Sequence, residues 1–412
     1  MQPFTLHRRH AAAALARLAA FLGLGFGALP LAADWTPEAM LEVATITATA
    51  PSPDGSRVAW VESRALMTDS KSLFRTRLLV TAADGGTPRQ YTFGDANADD
   101  PQWSPDGAWL AYRHTADGGK PQLAVIAADG GGERLLTEFD AGIGEFRWAP
   151  DSTMLAFVAT EPKSEAQKAR EAAGDDAIVV GENPAYRHLW RIALPTADAA
   201  PVPERITTGA FSVGTQVLSG SFDWSPDARE IAFTRVSTPD IDDWPSADIA
   251  IVDVSTGRVR PYQQSDAAEW SPVYSPDGKL IAFSITNFPP SWIRQSRIGV
   301  AAPDGKGLKL LAATGDEQPS IIGWTGNRAL LASEAAGTTT ALWRLPVSGA
   351  KPARLDDGKA VLSAIGLNST GTQLAFAAMT SAAPQEVALT PLRNFAPLTV
   401  STANANLPAR AV

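Results

Sequence analysis

Trp103-Ser104-Pro105-Asp106-Gly107, with Leu110-Ala111-Tyr112 close behind it, is one copy of a pattern that recurs seven times along the chain. Trp224-Ser225-Pro226-Asp227 precedes Ile231-Ala232-Phe233, and Tyr274-Ser275-Pro276-Asp277-Gly278 precedes Ile281-Ala282-Phe283. Pro53-Asp54-Gly55 before Val58-Ala59-Trp60 and Trp148-Ala149-Pro150-Asp151 before Leu155-Ala156-Phe157 are slightly altered copies. Trp324-Thr325-Gly326-Asn327, and Leu367-Asn368-Ser369-Thr370-Gly371 before Leu374-Ala375-Phe376, have lost the proline and keep the spacing.

The residue choice follows from turn chemistry. Proline presets φ for the first corner, aspartate folds its carboxylate onto nearby N–H groups, and glycine takes the left-handed conformation that lets the chain reverse. Asp54, Asp106, Asp151, Asp227 and Asp277 are therefore read as structural turn residues. Behind six of the seven turns, an alanine between two bulky residues gives a strand with one thick and one thin face, suited to stacked sheets. About twenty residues further on, a second alternation runs into a turn, as in Leu79-Val80-Thr81-Ala82-Ala83-Asp84-Gly85-Gly86 and Leu123-Ala124-Val125-Ile126-Ala127-Ala128-Asp129-Gly130-Gly131. Each unit then holds four short antiparallel strands. Steps between equivalent turns are mostly 45 to 52 residues, with one of 76 between Asp151 and Asp227. Such a period predicts an all-β, seven-bladed β-propeller, since a single blade cannot bury its own faces. The extra length of the long step is assigned to one helical or irregular insertion in the fourth repeat, spanning 161–189.

The first strand is expected near Thr45 to Ala50 and the last near Phe395 to Thr399, which predicts a ring closed by packing of blade 1 on blade 7 with no shared strand. The boundaries read as a leader over 1–33, a propeller over 34–400 and a C-terminal tail over 401–412. The leader has a basic start, His7-Arg8-Arg9-His10, an apolar stretch interrupted by Arg17, and Leu31-Ala32-Ala33 as a cleavage site before Asp34. A signal peptide of that form predicts an exported protein, periplasmic or secreted, and nothing later is apolar for long enough to span a membrane.

The chain has no cysteine, which excludes disulfides and thiol catalysis. Its formal charge is −9, and without the leader 32 basic residues face 44 acidic ones, which argues against a nucleic-acid partner. No cofactor or metal is expected. Asp99-Asp100 and Asp240 with Asp242-Asp243 lack the alternating ligands of a calcium loop and are read as solvated turns. Gly130-Gly131-Gly132 lies in a hairpin with no following helix, unlike a phosphate cradle. The twelve tryptophans fall mostly at repeat positions, where blade core explains them.

Taken together, the phased turns, the insertion through Asp175-Asp176 into His188-Leu189-Trp190, and the ending Pro384-Gln385-Glu386-Val387 with Pro397-Leu398-Thr399, Asn404 and Leu407 resemble the N-terminal propeller of the prolyl oligopeptidase family of serine peptidases. The dipeptidyl-peptidase and acylaminoacyl-peptidase branch is the nearest in pattern. The resemblance implies a propeller that restricts access of short peptides to an α/β-hydrolase domain, which would begin in the C-terminal tail. That domain carries a Gly-x-Ser-x-Gly elbow followed by Asp and His; no such elbow is present here. Only His114 and His188 could act as a base beyond the leader, and they fall in different repeats. The chain itself is therefore read as having no catalytic residues. Glu182, Tyr186 and Arg187 of the insertion are the candidate substrate contacts, with Glu182 facing a peptide amino terminus. The alternative is a stand-alone, TolB-like periplasmic propeller that binds a protein partner on one face; six blades behind a small α/β domain are expected of that kind.

Overall fold

A computed structural model describes residues 35–175, 184–195, 201–215, 217–292, 295–316 and 318–408. The chain divides into two compact units, one of residues 1–42 with 406–412 and one running from Val43 to Ala405. The described part of the first holds a short helix, α1 (Pro37–Leu41), capped by Thr36, whose Oγ1 accepts from Ala39 N at 3.2 Å.

Val43–Ala405 folds into seven consecutive antiparallel sheets, the blades of a β-propeller. Blade 1 comprises Thr45–Pro51, Arg57–Met67, Ser72–Ala82 and Arg89–Gln90 in that spatial order, and blades 2 to 7 begin at Asn97, Ile143, Ser212, Glu269, Ser320 and Val361. Every sheet is built from strands consecutive in the chain, so among the described residues no strand is exchanged at the closure. First strands face the axis, and the fourth strands, most of them only two residues long like the exposed Arg134–Leu135, lie at the rim.

The thick-and-thin pattern sets how blades stack. Leu110 and Tyr112 of blade 2 share a core with Ala59 of blade 1, while Ala111 on the opposite face meets Leu155 and Phe157 of blade 3. Ala156 meets Ile231 and Phe233, Ala232 meets Ile281 and Phe283, and Ala375 meets Val58 and Trp60 across the closure. The bulky pair of each of these blades thus packs over the alanine of its predecessor, and each fully buried aromatic contributes roughly 2–3 kcal/mol of apolar burial.

Most of the turns are small hydrogen-bonded knots. Ser104 Oγ donates to Asp106 Oδ1 at 2.5 Å and accepts from Trp109 N at 2.9 Å, while Asp106 Oδ1 accepts from Ala108 N at 3.0 Å. Ser52–Asp54, Ser225–Asp227 and Ser275–Asp277 repeat the arrangement. The serine hydroxyl is the largest of the contacts that hold Asp54 down to about 2, and it lowers Asp227 and Asp277 as well. In blade 7, Asn368 does the same work, its Oδ1 accepting from Thr372 N and Gln373 N at 2.8 and 2.9 Å.

The insertion belongs to the third blade rather than the fourth. It leaves after Met154–Thr160 and returns at Arg187–Ala193, the second and third strands of the sheet whose turn contains Asp151. It carries an exposed helix, α2 (Glu165–Ala172), started by a capping box between Ser164 and Gln167. Within the insertion, Ile178-Val179-Val180 reads as a strand in the sequence and lies outside the described residues. The long step contains a second excursion as well. The first strand of blade 4 is split into Ser212–Val213 and Phe222–Trp224, both paired with Glu230–Val236, so this sheet has five segments rather than four.

Ring closure rests on polar contacts placed around one apolar cluster. Ile46, Val58 and Trp60 pack with Ala375, Val387 and Val400. Asn404 Oδ1 accepts from Ala44 N at 2.8 Å, and Asn404 Nδ2 donates to Ala44 O at 3.0 Å and to Gln385 O at 2.7 Å. Gln385 Oε1 accepts from Ile46 N at 2.7 Å, and Glu386 accepts from Ala403 N and Asn404 N. The Gln385-Glu386 and Asn404 signals near the end of the sequence are thus the latch of the ring.

Candidate functional site

At the inner strands lies a cavity of about 720 Å³ lined by blades 1, 2, 3, 4, 6 and 7. None of these strands is regular. In blades 1, 2, 3, 5, 6 and 7, the pairing of first and second strands slips by one residue, as between Asp99 and Gln102 or between Ser363 and Gly366. Such a bulge bends a strand and re-aims a side chain. At three of them the extra residue is left-handed without being glycine: Asp100 (φ 52), Ser271 (φ 57) and Ala364 (φ 49). Blade 4 enlarges the same irregularity, its chain leaving the sheet at Gly214 and rejoining at Ser221 opposite Thr234.

Just above the turns, neighbouring blades are tied in both directions. The repeat tryptophan reaches back, with Trp103 Nε1 donating to Ala50 O at 2.8 Å, Trp148 Nε1 to Gln102 O at 3.0 Å, Trp224 Nε1 to Arg147 O at 3.3 Å and Trp324 Nε1 to Val273 O at 3.0 Å. The residue before it reaches forward. Gln102 Nε2 donates to Phe146 O at 2.9 Å, Arg147 Nε donates to Phe222 O at 2.7 Å, and Asp223 Oδ2 accepts from Tyr274 N at 2.8 Å. At the corresponding positions of blades 5, 6, 7 and 1 stand Val273, Gly323, Gly366 and Ala50, which have no polar side chain. One arc of the channel is therefore charged and clasped, and the other is small and apolar.

The charged arc is acidic. Arg147 Nη2 pairs with Glu145 Oε1 at 2.8 Å, and Glu145 Oε2 also accepts from Ser221 N at 2.7 Å. Arg113 pairs with Asp99. Asp100 and Asp223, both lining the cavity, have no cation paired to them among the described residues. Burial raises the Asp100 carboxyl and pushes Asp223 up to about 6, with Arg147 opposing. Burial alone would lower the Arg147 guanidinium, and Glu145, Asp223 and Asp100 more than reverse it.

Sequence reasoning reached only the edge of this cluster. Arg187 starts the third strand of blade 3, its N donating to Ser212 Oγ at 3.0 Å, and its side chain lies beside Gly144 within the field of Glu145. Burial lowers its guanidinium and Glu145 acts in the opposite sense. Tyr186 points elsewhere, its ring tilted against His188 at 6.4 Å. Glu182 lies outside the described residues. Asp99-Asp100 is no solvated turn; it sits on the innermost strand of blade 2. The signal that could have identified Arg147 and Asp223 is their position immediately before a repeat tryptophan.

The two histidines serve structure. His188 is fully buried, with Nδ1 3.1 Å from Thr207 Oγ1 and its ring edge-on to Phe211 at 5.4 Å. Its Nε2 is 3.3 Å from Glu161 Oε1 without hydrogen-bond alignment, and burial lowers the imidazole's pKa with Glu161 opposing. His114, on blade 2, pairs with Glu133, which also accepts from Tyr112 Oη. Among the described residues, no group of three or more His, Cys, Asp or Glu is arranged to hold a metal ion, and no helix is long and apolar enough to cross a membrane. A second cavity, of about 980 Å³, opens on the outer side of blades 2 and 3, where Phe139, Trp190, Pro162 and Pro203 meet Lys163 and Lys168 of the insertion.

No family profile and no curated protein matches the chain. Solved structures do. The acylaminoacyl peptidase of Pyrococcus horikoshii superposes with a TM-score of 0.63 at 15% identity, over 90% of this chain and 55% of that one. A puromycin-hydrolyzing peptidase of Mycobacterium tuberculosis gives 0.63 at 15%, over 92% and 56%. The β-propeller domain of the Trilobed protease of Pyrococcus furiosus, described as having an open velcro topology, gives 0.61 at 14%, over 90% of this chain and 99% of that one. The chain thus spans about half the length of the two whole peptidases. At these identities the likeness is one of fold: this chain is a seven-bladed β-propeller of the kind found as the propeller domain of acylaminoacyl peptidases and the Trilobed protease.

Proposed function

We propose that this chain is the non-catalytic, substrate-gating propeller of an exported serine peptidase of the prolyl oligopeptidase type, acting on short peptides. The observation that carries this reading is the alignment of nine-tenths of the chain with about half of a whole acylaminoacyl peptidase. The channel supports it physically. A cavity of 720 Å³ ringed by hydrogen-bonded sheets holds an extended peptide of a few residues, whereas a folded domain of 100 residues has a radius of gyration of about 13 Å. Seven blades, where six are expected of a TolB-like propeller, favour this reading over a stand-alone interaction module.

The test is the coding sequence beyond Val412. An in-frame Gly-x-Ser-x-Gly, followed by Asp and His, is expected; a stop codon with no such domain would refute the assignment. The purified 412-residue chain should not turn over dipeptidyl or acyl-amino-acid substrates, and turnover abolished by a serine-directed inhibitor would overturn its non-catalytic role. Export is tested by N-terminal sequencing of the protein from periplasm or medium, where a start at Asp34 is expected.

A further inference from the structure

We infer that the acidic arc of the channel is a binding site for an organic cation, the ammonium or guanidinium of a short peptide, with Asp100 as its principal anchor. Charge balance is the first reason. Asp99, Asp100, Glu145 and Asp223 face Arg113, Arg147 and Arg187, and two of those cations are committed to Asp99 and Glu145 by direct ion pairs. An uncompensated negative charge on the wall of a concave channel focuses its field on whatever enters.

Accessibility is the second. The left-handed bulge at residue 100 puts an aspartate on the cavity wall, and no hydrogen bond to its carboxylate is formed within the described protein. Its neighbour Asp99, by contrast, receives Arg113. Asp223 has one acceptor oxygen used by Tyr274 N, and both of these carboxyls open onto the same space. A cation held there would complete the pairing that the protein leaves open. Shape is the third reason. The facing arc, with Ile321, Ile322, Leu362 and Ile365, is apolar and offers a wall for the rest of a peptide.

The inference rests on the channel being a peptide passage only in its choice of ligand, and calorimetry on the whole chain at pH 8 separates the two. The probes are methylguanidinium, Ala-Ala-Ala amide with a free amino terminus, N-acetyl-Ala-Lys-Ala amide, and the neutral N-acetyl-Ala-Ala-Ala amide. Binding of either or both cationic peptides roughly 10- to 100-fold more tightly than the neutral one is expected, as for a hydrogen bond to a charged group, and the first two peptides distinguish a terminal from a side-chain cation. Asp100→Asn should abolish the preference while leaving the melting temperature unchanged, since asparagine tolerates a left-handed backbone; Asp223→Asn, which retains the acceptor for Tyr274 N, is the second variant should the first fail to fold. Equal binding of the neutral peptide, a preference that survives both substitutions, or no binding of any probe overturns the inference. Peptides that bind without regard to charge leave the passage reading standing alone. Methylguanidinium bound through Asp100, with no peptide bound, leaves the cation site standing and removes the passage.

Discussion

Replacing Asn404 with alanine should open the ring at one place. Its side chain makes three bonds, accepting from Ala44 N and donating to Ala44 O and Gln385 O, at a site where Asn404 is 3% and Ala44 1% exposed. Truncation strands the peptide groups of Ala44 away from water. A hydrogen bond contributes about 1 kcal/mol net and a stranded buried group costs about 1–3 kcal/mol, so the expected loss is roughly 3–5 kcal/mol. Glu386 still holds Ser401 and Ala403, so the chain end stays docked and the damage is confined to the latch. With an unfolding entropy of about 2.1 cal/mol/K per residue, a unit of roughly 360 residues should lose about 4–7 °C in melting temperature. Differential scanning calorimetry measures that, and hydrogen exchange read by mass spectrometry locates it. Amides of 44–51 and 361–367 should exchange faster while those of 97–103 do not change. A variant that melts within about 1 °C of the parent, or that loosens blade 2 as much as blade 1, would refute the assignment of closure to this residue.

Trp148→Phe, which removes the bond from Nε1 to Gln102 O at 3.0 Å, should cost about 1–2 kcal/mol in denaturant unfolding. Tyr274→Phe should cost less, because the Tyr274 hydroxyl has only a 3.5 Å contact with Glu230. Burial and the neighbouring Asp248 push buried Glu269 up to about 7 from an ordinary 4.5. Its contribution is complete below pH 4.5 and is lost as pH rises through 7, so Glu269→Gln should flatten the fall of melting temperature over that window. Asp54 is the opposite case: held down to about 2, it stabilises above pH 4 and loses that effect as pH falls toward 2. Asp54→Asn should therefore make acid unfolding, followed by circular dichroism, less steep.

The architecture was legible because one device is written out seven times. Turn, thick-and-thin strand and second hairpin each follow from local rules, and Leu-Ala-Tyr at residues 110–112 already states which faces can meet. What failed was the location of the irregular chain. In sequence the 76-residue step looks like one insertion in the fourth repeat, whereas it hides two excursions, one within blade 3 and one that breaks the first strand of blade 4. Turn counting cannot separate them, because both fall between the same two turns. The channel residues were hidden for another reason. Asp100 owes its position to a one-residue bulge, and a bulge leaves no periodic trace in a strand already short and mixed.

The stacking of bulky residues over the preceding alanine gives the ring a polarity, much as a rotation relates subunits in a heterologous cyclic oligomer. Each step has a front and a back, and its angle depends on the side-chain volume held between them. Blade 6 carries Leu331 in place of the alanine, yet all seven wedges must sum to a full circle, so enlarging Ala111 or Ala232 does more than crowd a core. It alters the pitch of the cycle, and the misfit accumulates where the circle meets itself, between Thr49 and Gly366, where a single added methyl would come within 2.0 Å of a carbonyl oxygen.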